Sequence, residues 1–238
     1  MVLTRPVGTA GALARRVRAL GGVPVSLPGL ALRGPDDPAA TRVSLREGLA
    51  GEVLIFTSPA AVRHAAALAC LQTAAVVLAV GQGTARALRR YGVPEPLAPA
   101  RQDSEGLLQH PALQVLRGRR VTLVGAPGGR GVLRNQLAAR GARLHEVHVY
   151  RRVPPRLDRR HAEALLELPR SARILLSSNE ALQNLCRLLP APALARLRAA
   201  TAVVSSTRLA AAARDAGFRH IEQASSALSA DLLAAAAR

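Results

Sequence analysis

Four short turns carry the residues best suited to chemistry: Thr57-Ser58-Pro59, Gly81-Gln82-Gly83-Thr84, Ser177-Ser178-Asn179 and Ser205-Ser206-Thr207. Each follows a short β-branched run and precedes a helical stretch. In a parallel sheet such turns all open at the carboxyl edge, where helix N–H groups and hydroxyls can hold a carboxylate or phosphate. The same serines and threonines are also ordinary helix N-caps, so each taken singly has a structural use. Their recurrence at equivalent positions is what points to a ligand. Tyr150 ends another predicted strand, Val147–Tyr150, beside an Arg151-Arg152-Val153-Pro154-Pro155 connector. Its hydroxyl could give a hydrogen bond or proton to a leaving group there, or the ring could plug the end of a strand.

Other motifs exclude more than they include. Gly81-Gln82-Gly83 opens like a dinucleotide fingerprint, but Arg86 stands where the third glycine belongs. Ala126-Pro127-Gly128-Gly129-Arg130 lacks the Lys-Ser/Thr ending of a nucleotide-hydrolysing loop. The histidines form no HExxH pattern, and His145 and His148 sit three apart on a predicted strand, on opposite faces. Cys70 and Cys186 have no CxxC spacing, which predicts buried, reduced thiols. No metal site is expected.

The elements that must position these turns are written twice. Leu3–Val23 aligns with Leu123–Arg143 at an offset of 120, and Ile55-Phe56-Thr57-Ser58 aligns with Leu175-Leu176-Ser177-Ser178. Five extra residues then enter the second copy. An offset of 125 pairs Gly92 with Gly217, and Ser104–Leu108 with Ser229–Leu233. Strands are predicted at Val2–Thr4, Val23–Leu27, Val53–Phe56, Val76–Val80, Val121–Val124, Val147–Tyr150, Ile174–Leu176 and Ala202–Val204. Amphipathic stretches predict helices at Gly8–Leu20, Pro59–Leu71, Thr84–Tyr91, Ser104–His110, Gly131–Arg140, Asn179–Leu188, Arg208–Ala216 and Ala230–Ala237. Gly21, Gly92, Gly141 and Gly217 stand where helix C′ residues belong. The alternation is that of two similar parallel-sheet α/β domains, and a cleft between such domains is a natural small-molecule site. Two connectors, Pro28 to Pro38 and Arg151 to Pro155, are dense in turn residues. They imply that the chain leaves one domain after its first βαβ unit and returns near residue 153.

Of the 238 residues, 33 are basic and all of these are arginine, giving a formal charge of +18. Compositional bias of the coding sequence is one reading of that charge; an anionic partner is the other, since guanidinium matches carboxylate or phosphate. Nucleic acid is disfavoured: only Phe56, Tyr91, Tyr150 and Phe218 are aromatic, and the arginines are scattered. Met1 runs straight into a strand, with no signal peptide, and the Ala65–Val80 apolar stretch is broken by Gln72-Thr73. A cytoplasmic protein away from the membrane is expected.

Taken in order, Leu3-Thr4-Arg5-Pro6, Phe56-Thr57-Ser58-Pro59 and Ala79-Val80-Gly81-Gln82-Gly83-Thr84-Ala85 resemble the uroporphyrinogen-III synthases. The series continues with Ser104–Leu108, Gly128-Gly129-Arg130, Gly141-Ala142, Val149-Tyr150-Arg151-Arg152, Ser177-Ser178 and Ser206-Thr207-Arg208-Leu209-Ala210. The resemblance implies two α/β domains joined by paired linkers near 29–36 and 151–156, one of 1–34 plus 153–238 and one of 35–150. It implies a monomer without metal or organic cofactor, acting on the linear tetrapyrrole hydroxymethylbilane. Water leaves the hydroxymethyl end, the resulting azafulvene cation is attacked by the substituted carbon of the terminal ring, and a spiro intermediate rearranges with that ring inverted. Because the free bilane closes unaided to the uninverted isomer, the enzyme's task is to hold the ends in one geometry and assist hydroxide departure.

By the same resemblance, Tyr150 assists that departure. The substrate's eight carboxylates fall to Arg5, Thr57, Ser58, Gly83, Thr84, Gly128, Gly129, Arg130, Arg152, Ser177, Ser178, Ser206, Thr207 and Arg208. The chain departs from the family at Gly125-Ala126, where an Arg-Gly pair is usual. A non-catalytic two-domain receptor for a carboxylated tetrapyrrole or other anionic metabolite is the alternative reading, and turnover separates the two.

Overall fold

The computed structural model describes residues 1–128 and 131–238. The strands are β1 (Val2–Leu3), β2 (Val25–Ser26), β3 (Ala31–Arg33), β4 (Val53–Phe56), β5 (Val76–Ala79) and β6 (Arg120–Gly125). They continue with β7 (Arg143–His148), β8 (Arg151–Val153), β9 (Arg173–Leu175), β10 (Thr201–Val204) and β11 (Ile221–Gln223). The α-helices are α1 (Gly11–Ala19), α2 (Pro38–Leu49), α3 (Pro59–Leu68), α4 (Gln82–Arg90), α5 (Ser104–Leu108) and α6 (Val132–Ala139). After these come α7 (Arg159–Leu166), α8 (Asn179–Leu188), α9 (Ala191–Arg198), α10 (Thr207–Asp215) and α11 (Ser229–Ala236).

The chain divides into two compact units, residues 1–32 with 152–238 and residues 33–151. In the first, a parallel sheet runs β11-β10-β9-β1-β2; in the second, β5-β4-β6-β7. Shifting by the sequence offset turns β4, β5, β6 and β7 into β9, β10, β1 and β2, so the two sheets share one strand order. The five extra residues of the second copy lie between α8 and β10, where α9 forms. Even the edge is repeated: Val203 pairs with Glu222 of β11, and 125 residues earlier Leu78 makes an isolated parallel bridge to Leu97.

Helices cover both faces of the first unit's sheet, as parallel strands require. Val2, Ile174, Leu176, Ala202 and Val204 point into a core with Leu182, Leu185, Leu194, Leu197 and Phe218. The alternate residues Leu3, Leu175 and Val203 meet Leu13 and Val17 of α1 and Leu232 and Leu233 of α11. In the second unit Val53, Ile55, Leu78 and Val121 pack on Leu107, Leu113, Leu133 and Leu137. Each such fully buried aliphatic side chain contributes about 1.5–3 kcal/mol by leaving water. Gly21, Gly92, Gly141 and Gly217 all have φ between 76° and 93°, the left-handed geometry that ends a helix.

Several sequence expectations need correction. Residues 28–38 are not simply a turn-rich connector: Leu30 and Ala31 are buried, β3 forms within the segment, and β3 pairs with β8. Gly29 lies so close under α8 that a Cβ would sit 2.4 Å from Ala181 Cβ, and its carbonyl accepts from Asn184 Nδ2 at 3.0 Å. The 151–155 connector likewise begins as a strand, β8. The strand expected at 147–150 runs from Arg143 to His148, because its polar residues occupy a sheet-edge strand where only Val147 is buried. Helices α2, α7 and α9 are additional. In α2 only Leu45 and Gly48 are buried and in α7 only Leu165, so the apolar stripe that signals a helix is faint. Cys70 is exposed and Cys186 half-buried, both free, against the expectation that both thiols are buried.

Candidate functional site

A parallel sheet whose strand order reverses leaves an open crevice at the carboxyl ends of the two strands flanking the reversal. In the 33–151 unit those strands are β4 and β6. Here the Thr57 hydroxyl and backbone N–H both donate to the Val124 carbonyl, at 3.2 and 3.1 Å. That clamp explains Gly125: a Cβ there would lie 2.5 Å from Thr57 Oγ1, so the backbone closes over a position with no room for a side chain. Ser58 is the N-cap of α3, its Oγ accepting from the Ala61 N–H at 3.0 Å, with Pro59 at the first helical position.

Tyr150 lies two residues past β7, buried with 7 % of its surface exposed. Its hydroxyl is 3.3 Å from Ser58 Oγ, and its ring stacks on the His64 imidazole at a centroid distance of 5.2 Å and an interplanar angle of 18°. His64 is half-buried on α3, and burial, helped by the charge of Arg63, holds its pKa below the ordinary value of 6.5. It is therefore neutral at neutral pH and does not set a charge against the tyrosine ring. Either hydroxyl can donate in the Ser58–Tyr150 pair. When Ser58 donates, the Tyr150 proton is left for another acceptor, which is what a hydrogen-bond donor to a leaving group requires.

The other expected residues of this unit line the same edge less directly. Gly81 precedes α4 with extended backbone, and the Gln82 N–H is satisfied by Gln102 Oε1 at 3.0 Å. Gly83 and the buried Thr84 occupy the first turn of α4, where the Thr84 N–H is bonded to the Gly81 carbonyl at 3.0 Å and the positive end of the helix dipole favours an anion. Gly128 is exposed in a left-handed conformation. Gly129 and Arg130 lie outside the described residues.

The 1–32/152–238 unit repeats the plan at the ends of β1 and β9. Thr4 is fully buried; its hydroxyl donates to the Leu175 carbonyl at 2.8 Å and accepts from the Ser177 N–H at 2.9 Å. The Ser177 hydroxyl donates back to the Thr4 carbonyl at 3.0 Å, the counterpart of the Thr57 clamp. Ser178 caps α8 by accepting from Ala181, and Ser206 caps α10 by accepting from Leu209. Arg5 is half-buried, donates from Nη2 to Ser229 Oγ at 3.1 Å, and burial lowers its pKa. Thr207 and Arg208 are exposed in the first turn of α10, and Arg152 pairs with Glu180 at 2.9 Å.

Of the residues expected from sequence, the structure thus joins Ser58 to Tyr150 and sets Ser177 against Thr4, which was not among them, while Thr57 and Ser177 spend their hydroxyls on sheet clamps. His64 was missed. A single histidine in an alanine-rich helix has no motif spacing, and its partner lies 86 residues away in sequence. Among the described residues no group of three or more His, Cys, Asp or Glu could hold a metal ion.

Duplicated doubly wound sheets with polar, cap-rich carboxyl edges and one hydroxyl-bonded tyrosine define a class of small-molecule α/β protein. Comparison with known proteins narrows the class. The family described as HEM4, uroporphyrinogen-III synthase HemD, matches residues 11–234. The uroporphyrinogen-III synthase of Salmonella typhimurium is 33% identical over 95% of both chains, and that of Escherichia coli is 32% identical over 63% of this chain and 61% of its own. Two solved structures share the fold. A mutant uroporphyrinogen III synthase from Thermus thermophilus has a TM-score of 0.60 and 23% identity over 98% of this chain and 95% of its own. The uroporphyrinogen-III synthetase of Helicobacter pylori has a TM-score of 0.66 and 14% identity over 99% of this chain and 97% of its own. The chain belongs to the uroporphyrinogen-III synthase family, enzymes of tetrapyrrole synthesis.

Proposed function

We propose that this chain cyclises hydroxymethylbilane to uroporphyrinogen III, with loss of water and inversion of the terminal ring. The observation that carries the reading is Tyr150, a hydroxyl oriented by Ser58 and a ring backed by neutral His64 at the crevice of a doubly wound sheet. In this reading the Tyr150 proton is donated to the departing hydroxide, which leaves as water. The ring stack and the Ser58 bond hold the donor where negative charge develops, so little reorganisation accompanies the step. Thr84 and the first turns of α3 and α4 then hold substrate carboxylates, fixing which carbon of the terminal ring attacks. Thr57 and Ser177 contribute through the backbone they clamp.

The reaction as written moves no electrons to or from an acceptor, and the chain acts on it as a cytoplasmic monomer with neither metal nor organic cofactor. The scattered arginines suit a polycarboxylate better than a nucleic acid. Among the described residues no helix is long and apolar enough to cross a membrane. Purified protein is to be given hydroxymethylbilane without added metal, and the cyclic isomers separated after oxidation. The type III isomer should dominate. Type I alone, at the spontaneous rate, would leave a tetrapyrrole-binding protein without turnover.

A further inference from the structure

The 33–151 unit carries a second concave feature, which shares only its upper end, at Pro59 and Gly83, with the helix first turns proposed to hold substrate. A notch of about 430 Å³ opens between α3 and α4, walled by Arg63 of α3, Arg86 and Arg90 of α4, and the ring of Tyr91. Pro59 and Gly83 close its upper end. Arg86 and Arg90 are four apart on one helix, a like-charge pair that is unfavourable unless something neutralises it. Among the described residues no acidic side chain does so. All three arginines are exposed, and among the described residues none of them has an acidic partner. Arginines elsewhere, such as Arg119, Arg134, Arg151 and Arg152, do pair with acids.

Two other notches make the contrast. One sets Glu47 among Arg120 and Arg143, and the other sets Asp231 beside Arg238. The α3–α4 notch has no carboxylate in its lining. Its field is felt nearby, since Arg63 helps to depress the His64 pKa on the same helix. Tyr91, 44 % exposed, presents a flat wall on which a ring or a guanidinium can lie. Gly83 brings its own backbone N–H at the first turn of α4, where the Gln82 N–H is held by Gln102 and the Thr84 N–H by the Gly81 carbonyl.

We infer that the α3–α4 notch is an anion site separate from the Tyr150 hydroxyl, shaped for a small molecule, or one arm-bearing ring, carrying two or more carboxylates. The volume suits a single five- or six-membered ring with acid side chains, and excludes a whole tetrapyrrole. Three guanidiniums fixed on two helices bind several carboxylates at once, whereas one carboxylate engages only one fork. The source is either a free polycarboxylate or the acid-bearing edge of a tetrapyrrole whose remainder lies outside the notch.

The test uses the whole protein carrying Tyr150→Phe, in which Tyr91 is the only tyrosine and reports on the notch by its own fluorescence. Citrate at low salt should give a saturable one-to-one change that acetate does not. R86Q/R90Q should weaken citrate at least about tenfold, with an unchanged circular dichroism spectrum. R15Q/R16Q, which removes the same charge from α1, should leave citrate binding as it was. Equal loss in both double variants would reduce the effect to the net charge of +18 and overturn the site, as would an unsaturable response. Uroporphyrin that displaces citrate assigns the notch to the acid-bearing edge of a tetrapyrrole, and uroporphyrin without effect assigns it to a free polycarboxylate. None of these readouts requires turnover, so they stand or fall apart from the cyclase activity.

Discussion

Tyr150→Phe separates what the hydroxyl does for folding from what it does for the reaction. Among the described residues the hydroxyl makes one hydrogen bond, to Ser58 Oγ at 3.3 Å, and that oxygen keeps its bond from the Ala61 N–H when the tyrosine hydroxyl is gone. No buried group is stranded, so the stability lost should be the net worth of one ordinary hydrogen bond, about 0.5–1.5 kcal/mol. The ring remains and keeps its stack on His64. The transition state loses more. A preorganised donor aimed at developing negative charge is worth about 10²–10³ in kcat, or about 2.7–4 kcal/mol. Ground-state contacts to the substrate carboxylates are untouched, so KM should hardly move. Quenched-flow turnover of hydroxymethylbilane, corrected for spontaneous closure, gives kcat and the isomer ratio, and urea unfolding gives the stability. A kcat within about twofold of wild type would refute the proton-donor role. A raised KM at constant kcat would recast Tyr150 as a binding group.

Two further outcomes test the surrounding framework. Thr4→Val removes a buried hydroxyl that bridges the Leu175 carbonyl and the Ser177 N–H, and should lower stability by about 2–4 kcal/mol, whereas Thr4→Ser keeps both bonds and should lose about 1 kcal/mol. Equal urea midpoints for wild type and Thr4→Val would mean the clamp contributes nothing. His64 has a folded pKa below its ordinary value of 6.5, so the unfolded chain takes up the proton first and the contribution is lost as pH falls through about 6.5. His64→Phe should keep the stack and flatten that fall. Identical stability profiles for wild type and His64→Phe between about pH 8 and about pH 5 would count against it.

The sequence by itself determined the doubling and, through it, that the two units share one plan. Offsets of 120 and 125 map β4 and β5 onto β9 and β10, and short-range periodicity is enough to place such strands and most helices. It also determined the capping serines, because an N-cap is a local bond between residues three apart. Elements with few buried residues escaped it: α2 and α7 bury too little to leave a stripe, and β11 is an edge strand whose Ile221-Glu222-Gln223 carries no β signature.

What only the tertiary structure decided is which hydroxyls are free. Nothing local distinguishes Thr57 from Ser58, yet the parallel register of β4 on β6 turns the first onto a carbonyl and leaves the second facing Tyr150. Likewise His64 meets Tyr150 only because β7 lies two strands from β4 in the sheet and α3 follows β4. Such contacts depend on strand order and register, and these follow from the summed burial of a whole core, which no short stretch of sequence contains.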